Sequence, residues 1–392
     1  MNTVLLNKEV QDFIEENLTT NINSLILKGS PFKDITAQEL AQQVEGKQKA
    51  LKKLPLWHKT SGILFPKKIN LEQTSSEATA LYKTNLISGD TLIDLTGGFG
   101  IDCVYFSKKI KQVFHCEINN ELSDLVAHNI KQLQINNIQT ITGDSLEVLK
   151  KRNQKFDWIY VDPSRRNDAK GKVFLLNDCL PNVPKNLDFL FEYSDHILIK
   201  NSPILDITST INELNHVKEI HVVAVNNEVK ELLFILKKEH QGSISIKTSN
   251  ITKEQIQEFN FDFGVPKVAD YSEPKTFLYE PNAAILKSGA FNQIATDLNI
   301  SKLHQHTHLY TSSEIVEKFP GRTFKIDAIV NYDKKKISKL LPNKKANITT
   351  RNFPESVAQI RKKTKIKDGG DIYLFFTTNI ENKRIVILCS KH

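Results

Sequence analysis

The chain reads Thr91-Leu92-Ile93-Asp94-Leu95-Thr96-Gly97-Gly98-Phe99-Gly100 at the point that decides its fold. A short apolar strand ends here in a carboxylate, and the glycines that follow bring bare backbone N–H groups to the start of the next helix. The pattern predicts an α/β fold with a nucleotide-type cradle, although a tight connection without a ligand would look similar. The glycines lack the Gly-x-Gly-x-x-Gly spacing of a dinucleotide-binding turn, which disfavours a nicotinamide-dependent oxidoreductase.

Two further strand-like runs also end in carboxylates. Residues 113–116 lead to Glu117, and residues 139–142 lead through a glycine to Asp144 and Ser145. In a nucleotide-binding sheet, an acid at the end of the second strand accepts hydrogen bonds from ribose hydroxyls, which makes Glu117 a candidate ligand. Asp144 is a second candidate, with an ordinary helix cap as the alternative.

A fourth apolar run, residues 156–161, leads into Asp162-Pro163-Ser164-Arg165-Arg166. Arginine can stack on a base or bind a phosphate, so this turn suits a polynucleotide, and the alternative is that both arginines are solvated loop charges. A fifth run ends at Lys200, which could face the site or pack its stem along the protein; we favour the packing role. Residues 219–225 and 231–236 are joined by a link too short for a parallel crossover, which predicts a terminal antiparallel hairpin.

These segments resemble the motifs of bacterial class I S-adenosylmethionine-dependent methyltransferases that bear a C-terminal THUMP-like domain. The glycine turn resembles motif I of that class, and the Asp162-Pro163 turn resembles motif IV. The similarity extends nearly from end to end through Leu71-Glu72-Gln73-Thr74-Ser75-Ser76-Glu77-Ala78-Thr79-Ala80, Phe319-Pro320-Gly321-Arg322 and Tyr373-Leu374-Phe375.

The resemblance implies a Rossmann-like class I methyltransferase sheet with an antiparallel terminal hairpin, a helical N-terminal part and small α+β C-terminal domains. A capping box at Thr36-Ala37-Gln38-Glu39 agrees with a helical beginning. The domains that we expect are a helical N-terminal domain at residues 1–70, a methyltransferase domain at 71–245, a ferredoxin-like domain at 250–320 and a basic, RNA-binding THUMP-like domain at 321–392.

The resemblance also implies S-adenosylmethionine as the cofactor, bound over the glycine turn. Asp94 would lie near its methionine part, Glu117 on its ribose, and Asp144 with Ser145 beside its adenine amine. Ser76 begins a helix that borders the methionine moiety in relatives, with a plain helix cap as the alternative. The predicted cofactor-binding residues are Ser76, Asp94, Thr96, Gly97, Gly98, Gly100, Glu117, Asp144 and Ser145.

Motif IV positions the acceptor, because methyl transfer depends mainly on in-line geometry and desolvation. In relatives that methylate exocyclic amines the motif reads Asp/Asn-Pro-Pro-aromatic; Asp162 and Pro163 match it, whereas Ser164 and Arg165 do not. The predicted catalytic residues are these four. Since THUMP domains bind RNA, the resemblance implies an RNA methyltransferase acting on a base nitrogen of tRNA or rRNA. The alternative is a catalytically silent RNA-binding adaptor, which the intact strand-end carboxylates disfavour.

The charge distribution agrees with an RNA partner. The formal net charge is +8, and residues 321–392 carry 17 Lys plus Arg against 6 Asp plus Glu, which is 17 − 6 = +11. Such a concentration predicts affinity for phosphates, with a merely solvated surface as the alternative. The candidate RNA-binding residues are Arg166, Lys344, Lys345, Arg361, Lys362 and Lys363.

Several other classes of protein are disfavoured. The sequence has no run of about 18 apolar residues and no signal-peptide pattern, so we expect a cytoplasmic protein without a membrane span. The four cysteines lack the paired spacing of a zinc site or a disulfide framework. His304, His306 and His308 would share one face of a strand as a metal triad, but no neighbouring acid or cysteine completes a ligand set, and we expect no metal.

Overall fold

The structure is a computed structural model that describes residues 2–165, 175–341 and 343–392. The chain forms two compact units. The first comprises Met1–Lys218 with Glu231–Gly242, and the second comprises Glu219–Lys230 with Ser243–His392.

The first unit begins with helices that pack on one another. The capping box predicted at the start of the longest helix is confirmed, since the Thr36 hydroxyl accepts from Glu39 N and the Glu39 carboxylate accepts from Thr36 N. Apolar side chains of this segment, such as Leu40 and Val44, are fully buried together. The helices are α1 (Lys8–Glu16), α2 (Ile22–Lys28), α3 (Ala37–Lys53), α4 (Pro55–Lys59), α5 (Lys68–Gln73) and α6 (Glu77–Thr84), preceded by a 3-10 turn at Thr3–Leu6.

An alternation of strands and helices follows, as the apolar runs predict. The strands are β1 (Thr91–Asp94), β2 (Gln112–Glu117), β3 (Ile138–Thr142), β4 (Trp158–Val161), β5 (Ser164–Arg165), β6 (Cys179–Leu180), β7 (His196–Asn201), β8 (Val217–Val225) and β9 (Glu228–Lys237). The helices between them are α7 (Ile101–Phe106), α8 (Asn120–Gln132), α9 (Ser145–Arg152), α10 (Val183–Phe191) and α11 (Ile207–Glu213), with a 3-10 turn at Leu176–Asp178.

The sheet of the first unit has the order β9-β7-β4-β1-β2-β3. Its strands β3, β2, β1, β4 and β7 are parallel, whereas β9 is antiparallel to β7. Strands β8 and β9 are joined by Asn226-Asn227, both with positive φ (49° and 65°), which is the geometry of a tight type I′ hairpin turn. The predicted Rossmann-like sheet with its antiparallel terminal hairpin is therefore confirmed. Parallel strands bring Asp94, Glu117 and the residues after β4 to one edge of the sheet.

The second unit combines parallel and antiparallel strand pairs. Strand β8 pairs in parallel with β10 (Ser245–Ile251), which pairs antiparallel with β11 (Ile256–Asp262). A seven-stranded sheet follows, in the order β13-β14-β12-β15-β18-β17-β16. Its strands are β12 (Phe277–Pro281), β13 (Ser301–His304), β14 (Thr307–Ser312), β15 (Gly321–Asn331), β16 (Asn347–Thr350), β17 (Ile372–Thr378) and β18 (Arg384–Lys391). Its helices are α12 (Ala283–Ser288), α13 (Gln293–Asp297), α14 (Lys334–Leu340) and α15 (Val357–Thr364).

This seven-stranded sheet is strongly curved. Leu309 of β14 and Phe375 of β17 belong to one buried cluster, although three strands of the sheet order lie between β14 and β17. The Asn352 side chain, just beyond β16, donates to His304 of β13 and to Thr307 of β14. The curvature therefore brings residues from the two ends of the strand order together. No helix among the described residues is both long and apolar enough to cross a membrane.

Candidate functional site

The glycines of the turn after β1 differ in whether the packing of the protein leaves room for a side chain. A side chain at Gly97 would lie 2.6 Å from the carbonyl oxygen of Cys116, and one at Gly100 would lie 2.8 Å from a methyl group of Val126. Gly98 has a φ of 56°, and a Cβ there would meet only the Thr96 carbonyl oxygen, at 3.6 Å. The turn is therefore open to a ligand at Gly98, whereas Gly97 and Gly100 are required by close contacts within the protein.

Glu117, at the end of β2, holds this turn. One of its carboxylate oxygens accepts from Gly98 N at 2.9 Å, and the other accepts from Asn119 N at 2.8 Å. The side chain is partly exposed, and each oxygen keeps a further lone pair. A carboxylate in this state can accept hydroxyl groups of a ribose, so the donor and acceptor set at this position fits a nucleoside.

Asp94, at the end of β1, is buried and shapes the turn from beneath. Its Oδ1 accepts from Thr96 N at 2.8 Å and from the Thr96 hydroxyl at 3.0 Å, and its Oδ2 accepts from the Cys103 thiol at 3.3 Å. Burial is the main cause that raises the pKa of Asp94 to about 7. Among the residues that the structure describes, no lysine or arginine forms an ion pair with it.

The glycine turn and the Asp162 turn are joined through one hydroxyl group. Asp162 N donates to Thr96 Oγ1 at 2.7 Å, and the same hydroxyl donates to Asp94 Oδ1. Residues 66 positions apart are thereby fixed against each other. The two sequence motifs form one site at the carboxyl edge of the sheet.

Lys200 forms an ion pair with Asp162 Oδ2, so the expected packing role for Lys200 is wrong. Strands β4 and β7 are parallel neighbours with Val161 opposite Ile199. Asp162 follows Val161 and Lys200 follows Ile199, so these two residues lie side by side. The Lys200 side chain is 10% exposed and that of Asp162 is 35% exposed. Burial favours the neutral amine, but the carboxylates of Asp162, Asp102 and Glu231 together raise the pKa of Lys200 above its ordinary value.

Beneath this pair lies a buried charge cluster that sequence reasoning missed. Lys83 Nζ lies 2.8 Å from both oxygens of Glu231, 3.2 Å from Asp102 Oδ1 and 3.0 Å from the Ser75 hydroxyl. Asp102 Oδ2 accepts from Ser75 at 2.9 Å and from the Tyr160 hydroxyl at 2.7 Å. Burial favours the neutral acid, but Lys83 and Lys200 outweigh it and lower the pKa of Asp102.

The remaining predicted site residues have simpler local roles. Ser76 caps α6 through Thr79 N at 3.3 Å. Asp144 caps α9 by accepting from Leu146 N and Glu147 N at 2.9 and 3.2 Å, and Ser145 is the first residue of that helix. Pro163 is buried, and Ser164 with Arg165 forms β5, which pairs with β6. Arg166 lies outside the described residues.

The candidate RNA-binding residues of the C-terminal region differ in how their charges are used. Arg361 donates to the carbonyl oxygens of Ile366 and Ala346 and forms an ion pair with Asp368, so it ties a turn together. Lys363 lies 2.8 Å from a carboxylate oxygen of Glu355. The others, Lys344, Lys345 and Lys362, are exposed.

The three alternating histidines do not share one strand. His304 ends β13, His306 lies in the turn, and His308 belongs to β14, where its ring stacks on Phe291 with 3.7 Å between centroids. Within the described ranges, no group of histidine, cysteine, aspartate and glutamate side chains could hold a metal ion. All four cysteines are buried, and none of them forms a disulfide bond within the described ranges.

Three family models match parts of the chain. One described as conserved hypothetical protein 95 matches residues 78–232, a ferredoxin-like domain matches residues 277–320, and a THUMP-like domain matches residues 321–391. No curated protein matches the sequence significantly.

Two solved structures share only part of the fold. An O-methyltransferase from Bacillus cereus in complex with S-adenosylhomocysteine is 14% identical, with a TM-score of 0.34, over 47% of this chain and 97% of that one. A tRNA m1G37 methyltransferase from M. jannaschii is 17% identical, with a TM-score of 0.29, over 42% of this chain and 50% of that one. Likenesses at this level say nothing about activity.

A third likeness spans the whole chain. The crystal structure of a protein from Porphyromonas gingivalis W83, classed provisionally as a methyltransferase, is 31% identical with a TM-score of 0.87. The match covers 100% of this chain and 98% of that one. The chain belongs to the family of that protein, the class I S-adenosylmethionine-dependent methyltransferases with a C-terminal THUMP-like domain.

Proposed function

We propose that this protein transfers a methyl group from S-adenosylmethionine to a base nitrogen of tRNA or rRNA. The observation that carries the proposal is the Thr96 hydroxyl, which bonds both Asp94 and the backbone of Asp162. This hydroxyl holds the glycine turn, where we place the nucleoside, beside the partly exposed carboxylate of Asp162. A methyltransferase needs this arrangement, because its two substrates must meet in line.

On the cofactor side, each residue has a distinct task. The open face of Gly98 lets a nucleoside approach the backbone, and Glu117 accepts its ribose hydroxyls. Asp94 keeps the turn in shape through Thr96. Bound here, S-adenosylmethionine would supply a methyl group activated by the neighbouring sulfonium charge.

On the acceptor side, Asp162 is the orienting group. Lys200 holds Oδ2, and this leaves Oδ1 to accept a hydrogen bond from an amine of the base. The Asp162 side chain is 35% exposed, so a substrate can reach it. Pro163 is buried, which gives the turn a fixed exit direction.

An RNA substrate is supported by the THUMP-like segment and by the +11 charge of residues 321–392. The alternative, a silent RNA-binding adaptor, is supported by Ser164 and Arg165, which replace the Pro-aromatic part of motif IV. Both functions predict RNA affinity, and only the first predicts methyl transfer.

The test uses total RNA from cells that lack the gene. The full-length protein is incubated with this RNA and methyl-labelled S-adenosylmethionine, and the nucleosides are resolved by mass spectrometry. We expect one methylated base that is missing from the deletion strain and is restored by the wild-type protein but not by Asp162→Ala. If no RNA fraction acquires label and the nucleosides of the two strains are identical, the methyltransferase proposal fails.

A further inference from the structure

Two arginines of the C-terminal unit share one buried carboxylate. Glu280, the next-to-last residue of β12, is only 3% exposed. Its Oε2 accepts from Arg322 Nε at 2.8 Å and also from Arg322 Nη2, while its Oε1 accepts from Arg351 Nη2 at 2.8 Å. The side chains of Arg322 and Arg351 are 42% and 37% exposed, so solvent reaches part of each.

The sequence around Pro320-Gly321-Arg322 explains why the arginines meet. Glu280 lies opposite Arg322 in the β12–β15 ladder. A side chain at Gly321 would lie 2.1 Å from the carbonyl oxygen of Glu280, so only glycine allows the strands to pair this closely at this point. Arg351 follows β16, at the far end of the strand order, and the curvature of the sheet brings it to the same carboxylate.

The cluster carries more positive charge than Glu280 can neutralise. Two guanidinium cations against one carboxylate leave one net positive charge. A guanidinium has five N–H donors; Arg322 uses Nε and Nη2 on Glu280, and Arg351 uses Nη2 alone. Arg351 Nε is buried without a hydrogen-bond partner among the described residues. Two like charges held close together with unused planar donors form a receptor for an anion with several oxygens.

We propose that Arg322 and Arg351, oriented by Glu280, bind a backbone phosphate of RNA. The inference rests on the proposed function, because it assumes a nucleic acid partner for this surface. It assigns the contact to residues that the charge clusters of the sequence did not indicate. By contrast, the N–H groups of Arg361 donate to two carbonyl oxygens and to Asp368, so fewer of them remain for a ligand.

The experiment measures binding of bulk tRNA to the full-length protein by fluorescence anisotropy at several KCl concentrations. Arg351→Gln leaves the Arg322–Glu280 pair in place, and we expect it to weaken binding by about tenfold or more, as for the loss of a charged hydrogen bond. The slope of log affinity against log salt should shrink by about 0.7 to 0.9. Arg384→Gln removes one exposed arginine of the same unit and serves as the matched control.

Two further variants separate orientation from charge. Arg351→Lys keeps the charge but loses the planar fork, and it should also weaken binding. Glu280→Gln makes the protein more positive, so a surface that acts through charge alone would bind tRNA as tightly as before or more tightly. The proposed site predicts weaker binding, because both arginines lose their support. Should Glu280→Gln fail to fold, Arg351→Lys answers the same question.

The outcomes are distinct. If the wild type binds tRNA and the Arg322→Gln, Arg351→Gln and Arg351→Lys variants bind equally well, this inference is overturned and the proposed function stands. If the wild type binds neither bulk tRNA nor ribosomal RNA in this assay, the proposed function fails and takes this inference with it.

Discussion

The edge of the parallel sheet and the curved sheet of the second unit use charge in opposite ways. At the parallel edge, the buried Lys83 forms ion pairs with two buried acids, Glu231 and Asp102. At the curved sheet, Arg322 and Arg351 exceed their single acid and remain exposed. Charges of the first kind fix a geometry, whereas charges of the second kind are available to a partner. The comparison shows that the number of charged residues says little about function until their partners are known.

The strongest test of this contrast removes one buried cation. Lys83→Met should lower the free energy of unfolding by about 3 to 5 kcal/mol, because Glu231 and Asp102 would lose their shared partner. Urea denaturation gives the value. The control is Lys363→Met, whose side chain is 60% exposed and whose loss should cost less than about 1 kcal/mol. Similar losses for the two variants would contradict the distinction between buried and exposed charge.

Lys200 tests whether a buried charge that fixes geometry also affects the reaction. It forms an ion pair with Asp162, and we expect it not to contact the substrate. Lys200→Met should reduce kcat for methyl transfer to RNA by about 100-fold, because Asp162 would lose its orientation. Calorimetric affinity for S-adenosylhomocysteine should stay near that of the wild type, and Lys200→Arg should recover part of the rate. An unchanged kcat in Lys200→Met would show that the ion pair serves stability alone.

Glu117 tests whether an acid at a strand end binds a ligand as well as supporting the fold. Glu117→Ala should weaken S-adenosylhomocysteine binding by about 1.5 to 3 kcal/mol, which is the contribution of hydrogen bonds to a charged acceptor. Titration calorimetry measures this loss. Glu121→Ala, which removes an exposed acid from the nearby helix α8, is the control. Equal affinities for both variants would leave Glu117 as a support for Gly98 only.

Asp94 gives an effect of another kind, visible in the pH dependence of stability. Its folded pKa of about 7 lies above the ordinary value of 3.8, so folding favours the protonated acid. Its contribution is full below the ordinary pKa and is lost as pH rises through the folded pKa, with a slope of at most about 1.4 kcal/mol per pH unit. Urea denaturation of the wild type and of Asp94→Asn, from pH 5 to pH 8, should show that stability falls more steeply with pH in the wild type, by this slope. Parallel curves would show that Asp94 is ionised throughout.

Residues at strand ends were predictable because a parallel sheet aligns them. Asp94, Glu117 and Asp162 each follow an apolar run, and the structure brings them to one edge. Lys200 was misjudged because its partner depends on the register of two strands, which the sequence does not show. The Lys83–Glu231 pair joins residues 148 positions apart, and its only local sign is a charged residue at the start of an apolar run.

In the C-terminal unit, the elements were predictable but their functional charges were not. The apolar runs at residues 372–377 and 384–388 form the strands β17 and β18. The cluster of basic residues around Arg361 predicted an RNA contact there, but Arg361 forms hydrogen bonds within the protein. Arg351 stands alone in the sequence, and only the curvature of the sheet places it beside Arg322.

The pairing of β12 with β15 has a consequence for cooperativity. The ferredoxin-like match ends at residue 320 and the THUMP-like match begins at residue 321, yet Leu278 lies opposite Phe324 in one ladder. Leu303 and Leu309 from the first segment share a buried cluster with Phe375 and Ile387 from the second. Separating the segments at this boundary would expose a long, unpaired strand edge, which invites aggregation. The two matched segments are therefore one foldon, whose backbone amides should become exchangeable in a single opening event.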